Sequence, residues 1–235
     1  MNHGVSSRGF TLIELVLAMG FVSVLLLAIA MTVIQIGGIY NKGLTLKEVN
    51  QAGRSLTVEL KRSITQSSPF DVSLGSNSRY IVQDWGGRLC IGMYSYVWNY
   101  GAAIAKADTT KLNVYATNSS ETIRLAKVID PSASYCIVPS KKVIFEDAVE
   151  LLNVGEHNLA IHSFTIASSD LTSDSKTGQK LYNIEFEIGT NNQSALANDA
   201  TGAIICKAPG TAGSDSAYCS VIQFNIVALA GNYVQ

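Results

Sequence analysis

The sequence predicts an α+β fold: one long N-terminal helix, transmembrane and then amphipathic, packed on a C-terminal antiparallel β-sheet domain. Three observations predict it. Leu15 to Asn41, 27 residues, contains no Asp, Glu, Lys or Arg. From Lys42 the apolar residues recur every three or four positions, as on one face of a helix. Beyond Pro69 the period shortens to two, as on a strand with one buried face.

The apolar run comes first in the chain. A helix of that length reaches about 40 Å and spans a hydrocarbon core of about 30 Å. Ser23, Thr32 and Gln35 are its only polar side chains from Leu15 to Ile39, so it has no solvent face and suits lipid or the interior of a helix bundle. Gly20, Gly37 and Gly38 let neighbouring backbones approach closely. A short leader, Met1 to Arg8, precedes it and carries His3, to which no role is assigned. The unusual residue is Glu14, just inside the apolar stretch. A carboxylate there costs about 3 kcal/mol on insertion scales and implies a partner. An ordinary signal anchor has no reason to carry it. A cleaved signal peptide has a shorter apolar region and a small-residue cleavage site after it.

Gly9, Phe10, Thr11-Leu12-Ile13 and Glu14, followed by an unbroken apolar helix, resemble the type IV prepilin signature. That motif belongs to type IV pilins and to the pseudopilins of type II secretion and competence systems. The likeness is close over roughly the first 60 residues and one of layout beyond. It implies that a prepilin peptidase cuts between Gly9 and Phe10 and that Phe10 becomes the N-methylated terminus. It also implies that the helix anchors the subunit in the inner membrane before assembly. In the filament, Glu14 would pair with the α-amine of a neighbour's residue 10. Residues 1–9 would be the leader and 10–41 the transmembrane and filament-core half of the helix. Met31 stands where major pilins usually carry proline, a departure that suits a minor pilin or pseudopilin.

Residues 42–68 form the amphipathic half. Val49, Ala52, Leu56, Leu60 and Ile64 line one face, and Lys47, Glu48, Arg54, Glu59, Lys61 and Arg62 occupy the others as a solvated surface. The helix is expected from about Phe10 to about Gln66, because Ser68 before Pro69 is pushed out of the α region.

Residues 69–235 are long enough for one domain with its own core. Tyr80-Ile81-Val82 reads as a strand, and Cys90 to Trp98 as a strand or a strand bulged at Gly92. Tyr94, Tyr96, Trp98 and Tyr100 share one face, read as core in preference to a ligand platform. Leu112–Ala116, Thr122–Ile129 and Tyr135–Val138 are further strand candidates, with turns at Pro131 and Pro139. Glu146 to Glu150 fits a short helix or a strand rim. Leu159–Ala167 alternates, Ser168–Gln179 reads as a loop or hairpin tip, and Leu181–Ile188 is the clearest strand. Asn191–Ser220 is loop-rich, and Val221–Leu229 is the last strand.

Net charge is −1, which recommends neither nucleic acid nor an anionic surface as partner. Charged residues are 15%, below the usual quarter or so, as is common outside the cell. The four cysteines permit three pairings. Cys90–Cys136 and Cys206–Cys219 are favoured, the latter closing a Gly/Ala/Ser-rich loop. Zinc is disfavoured, since no two cysteines have C-x-x-C spacing and His157 and His162 lie far from them in sequence.

No catalytic constellation is present, so no enzyme activity, cofactor or metal is expected. Asp170, Asp174, Asp199 and Asp215 read as solvated loop acids without calcium-loop spacing. His157 and His162 read as surface or satisfied histidines. Lys141, Lys142, Lys176, Lys180 and Lys207 are too scattered to form a nucleic-acid patch. The resemblance makes the expected function a filament subunit, a minor pilin of the PilW kind. Its partners would be other pilin subunits, the prepilin peptidase, the inner-membrane assembly platform and the membrane. Its location would be single-pass with the C-terminal domain extracytoplasmic, then the cell-surface pilus. The alternatives are a major pilin, a secretion or competence pseudopilin, or a pilin whose C-terminal loops, Ser168–Gln179 and Asn191–Ser220, capture DNA or another surface.

Overall fold

A computed structural model describes residues 9–73, 75, 78–106, 124–138, 140–144, 147–152, 158–174 (170–174 by backbone alone) and 178–231. The chain divides into two units, Met1–Asn41 and Lys42–Gln235. Helix α1, Leu12–Thr65, runs through both. In the first unit its apolar side chains from Leu12 to Tyr40 are all exposed, as a membrane-length apolar helix requires when nothing of its own chain covers it.

In the second unit α1 buries one stripe: Thr45, Val49, Ala52, Gly53, Leu56, Leu60, Ser63 and Ile64. The stripe packs on two antiparallel sheets. The larger has the order β1 (Tyr80–Gln83), β2 (Gly86–Ile91), β3 (Tyr94–Asn99), β4 (Leu125–Ile129), β5 (Ala148–Glu150). The smaller has the order β10 (Val221–Ala230), β7 (Gln179–Thr190), β6 (Leu159–Asp174). One parallel bridge, Tyr100 to Ile161, joins them. Short helices α2 (Gly101–Ala105) and α3 (Ser134–Ile137) and a small ladder of β8 (Leu196–Asn198) with β9 (Ile204–Cys206) complete the second unit.

The inward residues of both sheets meet α1 in one core, including Leu89, Tyr96, Trp98, Ile161, Phe164, Tyr182, Ile184, Phe186 and Ile188. Aromatic rings step across it: Trp98 to Phe164 at 4.4 Å, Phe164 to Phe186 at 6.0 Å and Phe186 to Phe224 at 5.4 Å between centroids. Strand β10 lies along the helix and is tied to it at both ends. Thr45 Oγ1 donates to the Ala217 carbonyl and Lys42 Nζ to that of Cys219, while Gly231 N–H donates to the Ser67 carbonyl.

Several expectations are corrected. Cys90–Trp98 is not one strand: it folds back at Gly92-Met93 into a hairpin pairing Ile91 with Tyr94. Gly92 has a φ of 55°, which glycine takes at a tight turn without a Cβ penalty. Tyr135–Val138 is not a strand; Ser134–Ile137 is one helical turn. Of Ser168–Gln179, read as a loop or hairpin tip, the hairpin reading fits: β6 continues through Asp174 paired with β7. In β6 a register shift between Ile161 and Ser163 brings Phe164 inward after Leu159 and Ile161, so a single alternation does not describe the strand. Helix α2 was not foreseen. Of the two readings of Glu146–Glu150, Ala148–Glu150 is strand. Leu112–Ala116, Thr122, Pro139, Glu146, His157 and Lys176 lie outside the described residues, as do Met1 to Arg8 of the leader, His3 included.

Gly53 tests the helix–sheet fit. A Cβ built there falls 2.0 Å from the Phe224 ring. Gly53→Ala should therefore destabilise the chain by about 1–3 kcal/mol through overpacking, and Gly53→Ala with Phe224→Leu should recover much of it. Denaturant midpoints check this. Equal loss in the single and double variants would show that the ring does not set the spacing.

Candidate functional site

The first candidate site is the start of α1. Gly9 and Phe10 precede the helix and are exposed, so the bond between them lies outside helical backbone. Thr11 is the N-cap and Glu14 stands three residues on, the arrangement of a capping box. The Thr11 N–H donates to Glu14 Oε2 at 2.9 Å, and the Thr11 hydroxyl donates to the same oxygen at 2.8 Å. In return the Glu14 N–H donates to Thr11 Oγ1 at 3.3 Å. Both carboxylate contacts use Oε2. Oε1 has no partner among the described residues and remains open to a donor. The signal Thr-x-x-Glu was in the sequence but was hidden behind the membrane question that Glu14 raised.

In the second unit a polar cluster locks α1 to the larger sheet. Glu59 Oε1 accepts from Lys127 Nζ at 2.5 Å and from the Tyr96 hydroxyl at 2.8 Å. The Tyr96 hydroxyl also lies 2.6 Å from Ser63 Oγ. Lys127 Nζ sits 3.8 Å over the Tyr94 ring. Burial pushes the Glu59 pKa up, but the Lys127 and Tyr96 contacts outweigh it and the net shift is down. Tyr94, Tyr96 and Trp98 are thus spent on packing and on this clamp, not on a ligand platform.

The structure joins Cys90 to Cys136 and Cys206 to Cys219. Cys136 sits on α3, and two buried charged residues hold α3. At its start, Asp130 accepts from the Ser134 N–H (3.0 Å), the Tyr135 N–H (3.1 Å) and the Ser134 hydroxyl (2.8 Å). It also accepts from Ser95 Oγ at 2.8 Å. At the other end Arg88 Nη1 donates to the carbonyls of Tyr135 and Val138 at 3.0 and 3.3 Å. Burial raises the Asp130 pKa, but these donors win and bring it to about 2. Burial lowers that of Arg88 to about 10, which leaves it charged at neutral pH. Neither residue was singled out from sequence, where a lone charge near a strand is indistinguishable from a surface one.

Glu150 is a half-buried carboxylate. It accepts from the N–H groups of Arg124, Leu125 and Leu152 at 2.7, 2.9 and 3.1 Å. Burial dominates those bonds and its pKa is raised. His162 lies within 3.2 Å of the Thr190 carbonyl, and burial lowers its pKa, as fits a satisfied histidine. Asp199 holds its own turn through Thr201 and Ala203, and Asp71 holds Ser73. Lys141 lies over Tyr135, Lys180 near Tyr182, and Lys207 reaches the Ala212 carbonyl. No group of three metal-ligating side chains occurs among the described residues. The side chains of Asp170 and Asp174 lie outside them.

No protein-family model, curated protein or solved structure matches the chain. Its own residues therefore carry the functional argument.

Asp130 has a measurable consequence. Its folded pKa lies below the ordinary carboxylate value of 3.8. Its stabilisation is therefore complete above about pH 4 and disappears as pH falls toward 2. Asp130→Asn should cost about 2 kcal/mol at neutral pH, because its amide faces donors, and the difference from wild type should shrink between pH 4 and 2. Denaturant titrations over that range check it; a pH-independent difference would deny the carboxylate its role at α3.

Proposed function

We propose that this chain is a structural subunit of a type IV filament, a minor pilin, anchored and then assembled through α1. In this reading 1–9 is a leader removed by prepilin peptidase and Phe10 is the methylated mature terminus. Residues 10–41 serve first as membrane anchor and then as filament core, 42–68 dock the helix on its own domain, and 69–235 is displayed outside the cytoplasm. The observation that carries the proposal is a single carboxylate, Glu14, in the otherwise uncharged first part of α1, Leu12 to Asn41, whose apolar side chains are uncovered. Such a surface needs either lipid or other helices, and such a charge needs a cation.

The local geometry is consistent with both demands. Oε2 caps the helix while Oε1 is available to a neighbour's α-amine. In a water-poor bundle that attraction is little screened, and removing one partner strands the other at about 3–5 kcal/mol. The pair acts on axial register, since helices that are apolar all round otherwise slide at little cost. Two disulfides in the second unit fit an oxidising compartment.

Processing is tested directly. Intact mass of the chain in sheared filaments should begin at Phe10 with an added methyl group. Assembled chains that retain Met1–Gly9 would overturn the reading.

The capping box refines the test of Glu14. Glu14→Gln keeps an oxygen for Thr11 but loses the charge; Glu14→Ala loses both. Both should insert and be cut normally, because removing a charge makes the helix more apolar. Both should enter filaments at least about tenfold less than wild type. Comparison of membrane and filament fractions reads this. Wild-type incorporation of Glu14→Gln would mean that the cap alone matters and would sink the charge-pair reading.

A further inference from the structure

The second unit carries opposite charges on opposite sides. On the part of α1 in this unit, from Lys42 on, the exposed charged residues are Lys47, Arg54, Lys61 and Arg62, all cationic. The acids of that half, Glu48 and Glu59, are half-buried, and Glu59 is already held by Lys127. Arg54, Val58 and Arg62 follow one another at four-residue spacing, about 6 Å per step along the axis. Val58 is 67% exposed between the two arginines. A groove of about 410 Å³ runs beside them, bounded also by Ser55, Leu56, Leu151 and the Lys127-held Glu59.

The other side is the outer face of the smaller sheet. Tyr182, Ile184, Phe186 and Ile188 of β7 point inward to the core with α1, so Glu185 and Glu187 point away from it. In register with them stand Thr165 and Ser163 on β6 and Asn225 and Gln223 on β10. None of those four is charged, and no ion pair to either glutamate occurs among the described residues. The two carboxylates lie about 7 Å apart along the strand. They form an acidic strip bordered by uncharged polar residues and, one step on, by exposed Val227 and Ala167.

We propose that the Arg54–Val58–Arg62 stripe of one copy of this chain docks on the Glu185–Glu187 strip of a second copy. The inference rests on the filament reading and names the surface through which neighbouring domains meet. Charge complementarity selects the partner. Pairing like faces in a two-fold dimer sets arginine against arginine or glutamate against glutamate, which is disfavoured. Helix face to sheet back matches cation with anion. Because the two surfaces are different and lie on opposite sides, the contact is heterologous and repeats with every added copy.

The test uses the full-length chain, in two differently tagged forms expressed together and extracted from membranes in mild detergent. Arg54→Glu with Arg62→Glu in both tagged forms should lower their co-purification about tenfold, and so should Glu185→Lys with Glu187→Lys. All four positions are at least partly solvent-exposed, and unchanged melting temperatures confirm intact folding. Combining one reversed-arginine form with one reversed-glutamate form should restore pairing, because each then offers the other a matched surface. Salt of about 1 M, where the Debye length is about 3 Å, should weaken wild type and the restored pair alike. Undiminished pairing in the double reversals, or loss without restoration, would overturn the proposal. So would an effect of the arginine reversal alone, with wild type binding vesicles of anionic phospholipid through that face. Cleavage before Phe10 and entry into filaments are measured on the same variants. Wild type that does not pair, though cut and entering filaments, sinks the docking surface only; absence of cleavage in wild type sinks the filament reading instead.

Discussion

The buried stripe of α1 from Thr45 to Ile64 is the contact on which the second unit depends. It packs into the core that both sheets share. Among the described residues the backbone bridge between the sheets is one parallel pairing, Tyr100 to Ile161, beside side-chain contacts such as Trp98 on Phe164. Val49, Ala52, Leu56, Leu60 and Ile64 are each 3% exposed or less, and burying side chains of this kind contributes about 1.5–3 kcal/mol for each large one. Gly53 is as important as any of them by having no side chain. It lets the Phe224 ring lie against the helix, and so lets β10 run beside it for its full length. The ladder from Trp98 to Phe224 then has a common roof.

Polar groups refine what the apolar stripe begins. Glu59, Lys127, Tyr96 and Ser63 form a cluster at the flank of the stripe that tolerates one rotation of the helix about its axis. Asp130 and Arg88 hold the two ends of one helical turn so that Cys136 meets Cys90. Such buried charges add little net stability, because desolvation consumes most of the attraction. Their value lies in geometry, since every alternative arrangement leaves a charge buried without its partners.

Glu14 applies the same logic where there is no chain of its own to pair with. In the proposed filament, a helix uncharged from Leu15 to Asn41 would slide against others like it, and one carboxylate with an open oxygen would give it a preferred height. The cap on Thr11 fixes the carboxylate's rotamer, so that its free oxygen is presented in one direction.

The sequence by itself determined the long helix, its two halves and the β-rich domain that follows. These follow from periodicity and from the absence of charge, both properties of neighbouring residues. Val221–Leu229 and Leu181–Ile188 were legible for the same reason, since each strand has one buried face. The candidate residues Gly9, Phe10 and Glu14 were legible because a motif lies within six consecutive positions. Tertiary structure alone decided the rest. Tyr135 to Val138 has the β-branched and aromatic composition of a strand, yet Asp130 accepts from the Ser134 and Tyr135 N–H groups and starts a helical turn there. Ser168 to Asp174 has the composition of a loop, yet β7 lies beside it with hydrogen bonds to satisfy. The roles of Asp130, Arg88 and Glu150 depend on which distant backbone groups surround them, and the opposition of Arg54–Arg62 to Glu185–Glu187 depends on which faces the core consumes. Local pattern cannot carry that information, because burial is a property of the assembled layers.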